Sequence, residues 1–184
     1  TEHHDSAIET LIEIKETIDE WAESSCESDR VGPLQDRVSS AREDLTAAEE
    51  AADSSSDLIA QINQATLIAD FQELSLAYYE SVNVFFQVVS DAAQLGDNEL
   101  HQRAADTYAE AKGVLDDARQ VIEDMGTVLS EIDNEALGEP ELEYAGEPLD
   151  HLDLVDMGAI DAAESYALAN EDLHLAFVQF GKGQ

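Results

Sequence analysis

Apolar residues recur at mostly alternating steps of four and three between Leu100 and Ile132, and this spacing constrains the fold more than any other feature of the chain. The series is Leu100, Ala104, Tyr108, Ala111, Leu115, Ala118, Ile122, Met125, Leu129 and Ile132. A four-three repeat places one side of an α-helix against a neighbouring helix, as in coiled coils. Gly138 and Pro140 end the pattern. We therefore predict one helix of about 38 residues, roughly 57 Å long.

The segment before it, from about Ser56 to Leu95, is also helical in period but has a much wider apolar face. Its apolar residues include Leu58, Ile62, Ile68, Phe71, Leu74, Tyr78, Tyr79, Val82, Phe85, Phe86, Val88 and Val89. So broad a face must be covered on several sides, which predicts a central helix. A short break at Gly96 and Asp97 is expected to join the two long helices as an antiparallel hairpin.

Two shorter helices are predicted upstream. Ile8, Leu11, Ile12, Ile18 and Trp21 lie along one face of the segment from Ser6 to about Ser28. After Gly32, the four-three spacing returns, and Pro33 suits the first turn of a second helix. The predicted fold class is all-α, an elongated antiparallel helical bundle with four main helices, two long and two shorter.

The texture changes after Leu137, because Gly-Glu-Pro occurs at 138–140 and again at 146–148. We predict the bundle core over 1–137, a loop over 138–150, and a loop-connected C-terminal helical segment over 151–184 that packs on the bundle within a single domain. A final helix is expected from near Ile160 to Asn170. The apolar run 173–180 fits a helix face or an alternating strand equally well, and it either packs on the bundle or meets a partner.

The charge is extreme: 43 acidic residues stand against eight basic ones, a formal net charge of −35. Lysine is depleted to three residues, and the acids alternate with apolar positions. This composition resembles that of proteins from salt-in halophiles, whose molar salt screens carboxylate repulsion. The alternative is an acidic protein of an ordinary cell that binds basic partners. Either way, nucleic acid and anionic lipid headgroups are excluded as direct partners, and hydrated cations are expected to gather diffusely.

The cellular compartment is predicted from the cysteine count, the lack of a membrane-spanning run in the sequence, and the first residue. Cys26 is the single cysteine, so no disulfide forms within the chain. No apolar run approaches the roughly 18 residues that a membrane span needs. The sequence begins with Thr1, which fits removal of an initiator Met or cleavage of a longer precursor. We expect a cytoplasmic protein, with an exported or cell-surface mature fragment as the alternative.

Candidate metal ligands occur but do not form complete sets. A di-metal carboxylate bundle needs two Glu-x-x-His pairs, and the chain offers one, Glu171-x-x-His174. The segment from Asp153 has Gly158 and Glu164 at EF-hand positions, but Val155 and Met157 stand where oxygen ligands are required. Four aspartates, Asp150, Asp153, Asp156 and Asp161, are interpreted as a solvated acidic face. His3 forms a copper or nickel site only if Thr1 is the natural start.

Catalytic patterns are absent from the sequence. Acids surround Cys26, which disfavours its thiolate, and no nucleophile elbow, phosphate loop or dinucleotide fingerprint occurs. We predict no catalytic, cofactor-binding or metal-binding residues and no cofactor. The leading interpretation is a non-enzymatic interaction or scaffold bundle adapted to high salt, which binds a protein partner or itself through 173–180. The alternative is a small-molecule or ion sensor with a pocket beside the doublets Tyr78-Tyr79 and Phe85-Phe86.

Overall fold

The computed structural model describes residues 2–23, 28–52, 56–133, 136–137, 140–146 and 157–182. Across these ranges every regular element is a helix, so the predicted all-α helical bundle is confirmed. The helices are α1 (Glu2–Glu23), α2 (Ser28–Ala51), α3 (Ser56–Asp97), α4 (His101–Glu131), α5 (Pro140–Gly146) and α6 (Met157–Lys182). None of these helices is both long enough and apolar enough to cross a membrane.

The residues group into two compact units. Unit 1 comprises Thr1–Tyr79 and Val121–Leu154, and unit 2 comprises Glu80–Gln120 and Val155–Gln184. The long helices α3 and α4 therefore contribute residues to both units. Unit 1 contains 30 acidic and four basic residues, whereas unit 2 contains 13 acidic and four basic residues. The negative charge is thus concentrated in unit 1.

Helix directions in unit 1 follow from contacts near the helix ends. Near the start of α1, His3 binds Asp44 on α2, and further along α1, Thr17 accepts a hydrogen bond from Arg30, near the start of α2. The two helices are therefore antiparallel. Gln72 of α3 donates a hydrogen bond to the backbone oxygen of Leu11 at 2.8 Å, and Trp21 packs edge-on against Tyr79. The contact that lies later on α1 also lies later on α3, so the two helices are parallel.

The core of unit 1 is built from apolar residues at four-three spacing. On α1 the buried residues are Ala7, Ile8, Leu11, Ile14, Ile18 and Trp21. On α2 they are Val31, Leu34, Val38, Ala41, Leu45 and Ala48. The first part of α3 adds Ile62, Ala65, Ile68, Ala69, Phe71 and Leu76. Burial of one face per helix is the expected result of this period, and it keeps the acids on the outside.

Two predicted details of unit 1 are wrong. Pro33 lies within α2, which begins five residues earlier at Ser28. The helix passes through it because Val31 and Leu34 are buried on the core side, so packing outweighs the hydrogen bond that proline lacks. The predicted loop over 138–150 contains α5, which buries Leu142 and Ala145 three residues apart on one helix side.

Unit 2 combines the end of α3, the first part of α4, and α6. Arg119 on α4 binds Asp161 and Glu164 near the start of α6, while His101 at the start of α4 contacts His174 farther along α6. Helices α4 and α6 are therefore antiparallel. Several small residues of these two helices are buried, namely Ala104, Ala105, Ala111 and Ala118 on α4 and Ala167 on α6.

The apolar series at steps of four and three, from which α4 was predicted, is buried over most of its length. Ala104, Tyr108, Ala111, Leu115, Ala118 and Met125 are buried. The helix is shorter than predicted, with 31 residues that end at Glu131. Leu100 lies before the helix and is 43% exposed. Leu100 belongs to the turn before α4, so the apolar series begins one residue before the helix does.

The turn between α3 and α4 lies after Gly96, not at it. Helix α3 continues to Asp97, and the amides of Glu99 and Leu100 bind the carbonyl oxygens of Gly96 and Leu95. Glu99 has a φ of 61°, the left-handed conformation that usually ends a helix at glycine. Gly96 has a different role, because a Cβ atom there would lie 2.5 Å from Cε1 of His174. The absence of a side chain permits close packing of α6.

Candidate interaction surface on helix α6

Helix α6 packs against its unit through one side. Residues 173–180 are helical, which decides between the two conformations that the sequence allowed. The helix is longer than the predicted 160–170, and it buries Ile160, Ala167 and His174 at steps of seven. Steps of seven return to nearly the same side of an α-helix, so these residues define the inner side of α6.

Ion pairs hold three of the four acids of α6. The Arg119 guanidinium binds Asp161 at 2.9 Å and Glu164 at 2.6 Å, and these hydrogen bonds raise the pKa of Arg119 above its usual range. Lys112 binds Glu171 at 2.6 Å. The fourth acid, Asp172, is exposed. The charge of α6 is therefore largely neutralised by α4.

A stack of rings fixes the C-terminal part of α6. The imidazole of His174 stacks on His101 and on Tyr108, with ring centroids 5.3 and 5.7 Å apart. The Nδ1 atoms of the two histidines are 3.1 Å apart, a hydrogen bond that requires at least one neutral ring. Burial, and secondarily the nearby His101, lower the pKa of His174. Phe177 also stacks on His101, with ring centroids 4.8 Å apart, and lies 6.3 Å from His174.

The opposite side of α6 carries an apolar row that is exposed in the described part of unit 2, although the ring of Tyr166 lies edge-on to Tyr108 with centroids 6.5 Å apart. Steps of four and three connect six exposed residues, which we call the outer seam: Ala162, Tyr166, Ala169, Leu173, Ala176 and Phe180. Tyr166 and Leu173 are 51% and 50% exposed, and Phe180 is 74% exposed. Phe177, beside the seam, is 48% exposed. The outer seam spans about 27 Å of helix.

Exposed apolar side chains are concentrated in the same unit. Of the nine large hydrophobic side chains exposed among the described residues, eight lie in unit 2 and one, Tyr144, lies in unit 1. Phe86 of α3 is 64% exposed, so the broad apolar face of this helix, predicted to be covered on several sides, is uncovered at that position. Scattered exposed apolar residues are ordinary, but a continuous row is a candidate interaction surface.

The predicted metal ligands are separated or otherwise engaged. Glu171 binds Lys112 and His174 lies in the ring stack, so they do not converge on one point. Within the described ranges, no three His, Cys, Asp or Glu side chains are close enough to hold a metal ion. Gly158 and Glu164 lie in helix α6, which contradicts a calcium-binding loop there. Asp161 binds Arg119; the other three aspartates of the predicted acidic face lie outside the described residues.

The imidazole of His3, the candidate copper or nickel ligand, contacts a side chain of α2. His3 lies in α1, where its Nδ1 atom is 2.8 Å from Asp44. Hydrogen bonds from His3 and then Ser6 lower the pKa of Asp44. Thr1, which a copper site would need, and Cys26 lie outside the described residues.

The aromatic doublets of the alternative sensor hypothesis lie in different units. Tyr78 and Tyr79 contact each other edge-on at 5.6 Å, and Tyr79 also packs on Trp21. Phe85 is buried and Phe86 is exposed. The described residues form two surface cavities, and neither is lined by residues of the two doublets. One, of about 530 Å³, is lined by Asp5, Ile8, Glu9, Ile12, Glu13 and Glu141; the other, of about 350 Å³, lies beside the α3–α4 turn and Phe177.

The prediction from sequence found only the second half of the outer seam. It identified 173–180 as an apolar segment but missed Ala162, Tyr166 and Ala169. The signal was present, since the same steps of four and three run through all six positions. No family model matches the chain, and neither the curated proteins nor the solved structures include a match.

Proposed function

We propose that the protein is a non-enzymatic interaction module, built as an acidic helical bundle for high salt, which binds a helix of a protein partner through the outer seam of α6. The observation that carries this proposal is the seam itself, a row of exposed apolar residues at coiled-coil spacing. A helix with a second apolar side can pack against one more helix in the same way that it packs within its own unit.

The charge distribution supports the choice of this surface. Arg119 and Lys112 hold the acids of α6 other than Asp172, so a partner meets few unpaired carboxylates there. Elsewhere, the acid excess is expected to repel other acidic proteins. In molar salt the Debye length is about 3 Å, so an apolar surface contributes relatively more to recognition than charge does. A cytoplasmic location in a salt-in halophile is part of the same proposal.

The test is capture of partners with a matched pair of variants. Tagged wild type, Leu173→Asp and Leu168→Asp are immobilised and exposed to native lysate in molar KCl. Leu168 is the control because it lies on α6 and is 40% exposed, but outside the outer seam. We expect Leu173→Asp to lose a bound protein, or an untagged copy of this chain, that wild type and Leu168→Asp retain. Circular dichroism verifies equal helicity. If all three capture the same proteins in equal amount, the seam is not the binding surface.

A further inference from the structure

The outer seam alternates strictly between large and small residues. The large residues Tyr166, Leu173 and Phe180 alternate with alanines at 162, 169 and 176. Cores of paired helices pack best when a large side chain faces a small one, because two large residues collide and two small ones leave a void. The ideal partner of this seam is therefore a helix with the complementary alternation.

The same seam, turned end for end, supplies that complement. In an antiparallel pair of copies with a two-fold axis beside residue 171, Tyr166 faces Ala176 of the second copy and Leu173 faces Ala169 of the second copy. Phe180 likewise faces Ala162. A parallel pair would place large on large and alanine on alanine. We propose that the outer seam binds the outer seam of a second copy as an antiparallel, two-fold symmetric helix pair. This rests on the proposed function and names its partner.

Electrostatics permit this contact and make it depend on salt. Two copies that each carry a net charge of −35 repel each other. At the contact itself the repulsion is reduced, because three of the four acids on α6 are paired with cations. Asp172 flanks the seam one residue from the proposed axis, which brings it near Asp172 of the second copy. Like charges at that distance oppose pairing at low salt and are screened at molar salt.

The exposed area fits a reversible dimer. About half of Tyr166, Leu173 and Phe177 and three quarters of Phe180 are accessible. With roughly 200 Å² for an aromatic side chain, pairing removes about 450 Å² per copy, or about 900 Å² in total. Stable interfaces bury about 1,200 to 2,000 Å². We therefore expect dissociation constants on the order of micromolar in molar salt.

Sedimentation of the purified full chain tests the pairing. In molar KCl the mass of wild type is expected to rise with concentration from 20.0 kDa towards twice that value. Leu173→Asp should stay monomeric, while Leu168→Asp should dimerise as wild type does. Asp172→Asn should tighten the dimer several-fold at low salt and have less effect at molar salt. If wild type stays monomeric at concentrations up to about a hundred times the expected micromolar dissociation constant, the proposal that a second copy is the partner is overturned. The capture experiment still decides the proposed function in that case.

Cross-linking tests the direction of the pair. In a Cys26→Ser background, Asp172→Cys and Ala162→Cys are treated with a short bismaleimide linker. In the antiparallel pair, the residues at 172 lie beside the axis, whereas the two residues at 162 are about 27 Å apart along the helices. We expect the Asp172→Cys chain to cross-link far faster. Preferential cross-linking of Ala162→Cys would indicate a parallel pair and overturn the antiparallel arrangement.

Discussion

Replacement of Gly96 by alanine gives a sharp test of how α6 packs. In an open helical position, Gly→Ala stabilises a protein by about 1 kcal/mol, because alanine has the higher helix propensity. At Gly96 the new Cβ would lie 2.5 Å from Cε1 and 2.9 Å from Nε2 of His174, where about 3.5 to 4.0 Å is needed. The ring would have to move by about 1 Å, and stacking on His101 and Tyr108 opposes that movement.

The magnitude follows from these opposed effects. Overpacking of this kind costs about 1 to 3 kcal/mol, so after the propensity gain Gly96→Ala should destabilise the protein by up to about 2 kcal/mol. Gly113 is the matched control: it lies in α4 of the same unit, and nothing lies within 4 Å of a Cβ built there. Gly113→Ala should therefore stabilise by about 1 kcal/mol. Urea unfolding in molar KCl, followed by circular dichroism, measures both changes. Equal stabilisation by the two substitutions would refute the packing of His174 against Gly96.

Three further predictions concern the turn, the ring stack and the solvent. Glu99→Gly should stabilise the protein by about 1 kcal/mol in urea unfolding, because glycine adopts the φ of 61° without strain; an unchanged midpoint would contradict the left-handed turn. The fold lowers the pKa of His174, so as the pH falls the unfolded chain binds this proton at a higher pH than the folded chain does. Stability should therefore fall as pH drops below about 6.5. His174→Phe should reduce that loss, and a pH dependence identical to wild type would count against the buried neutral ring. Helicity should fall below a few tenths molar KCl and return with added salt; circular dichroism that does not change with salt would refute adaptation to high salt.

Helices with a single apolar side could be predicted well from the sequence. The seam of α4 and the buried rows of α1 and α2 are local patterns, since the spacing of apolar residues alone determines which side is buried. Helix α6 was harder because it has two apolar sides, the inner residues Ile160, Ala167 and His174 and the outer seam. Together they fill the helical period, so residues 173–180 could equally be interpreted as a strand.

Features that depend on distant contacts could not be predicted. The role of Gly96 is set by His174, which is far away along the chain. The exposure of Phe86 depends on which of its sides other helices cover, and helix α5 depends on burial of Leu142 and Ala145 against unit 1. The ion pairs that neutralise α6 likewise join residues of different helices. The single-domain organisation stays a prediction, as does the absence of catalytic activity.

Carbene footprinting of the outer seam tests the central claim most directly. The purified chain, dilute and concentrated, and the chain in native lysate are labelled in molar KCl, and the modified residues are located by mass spectrometry. Association through the seam predicts that labelling of Tyr166, Leu173 and Phe180 falls several-fold on association, while Phe86, which is 64% exposed elsewhere in unit 2, keeps its labelling. Labelling of the seam that stays the same in all three conditions would contradict the account.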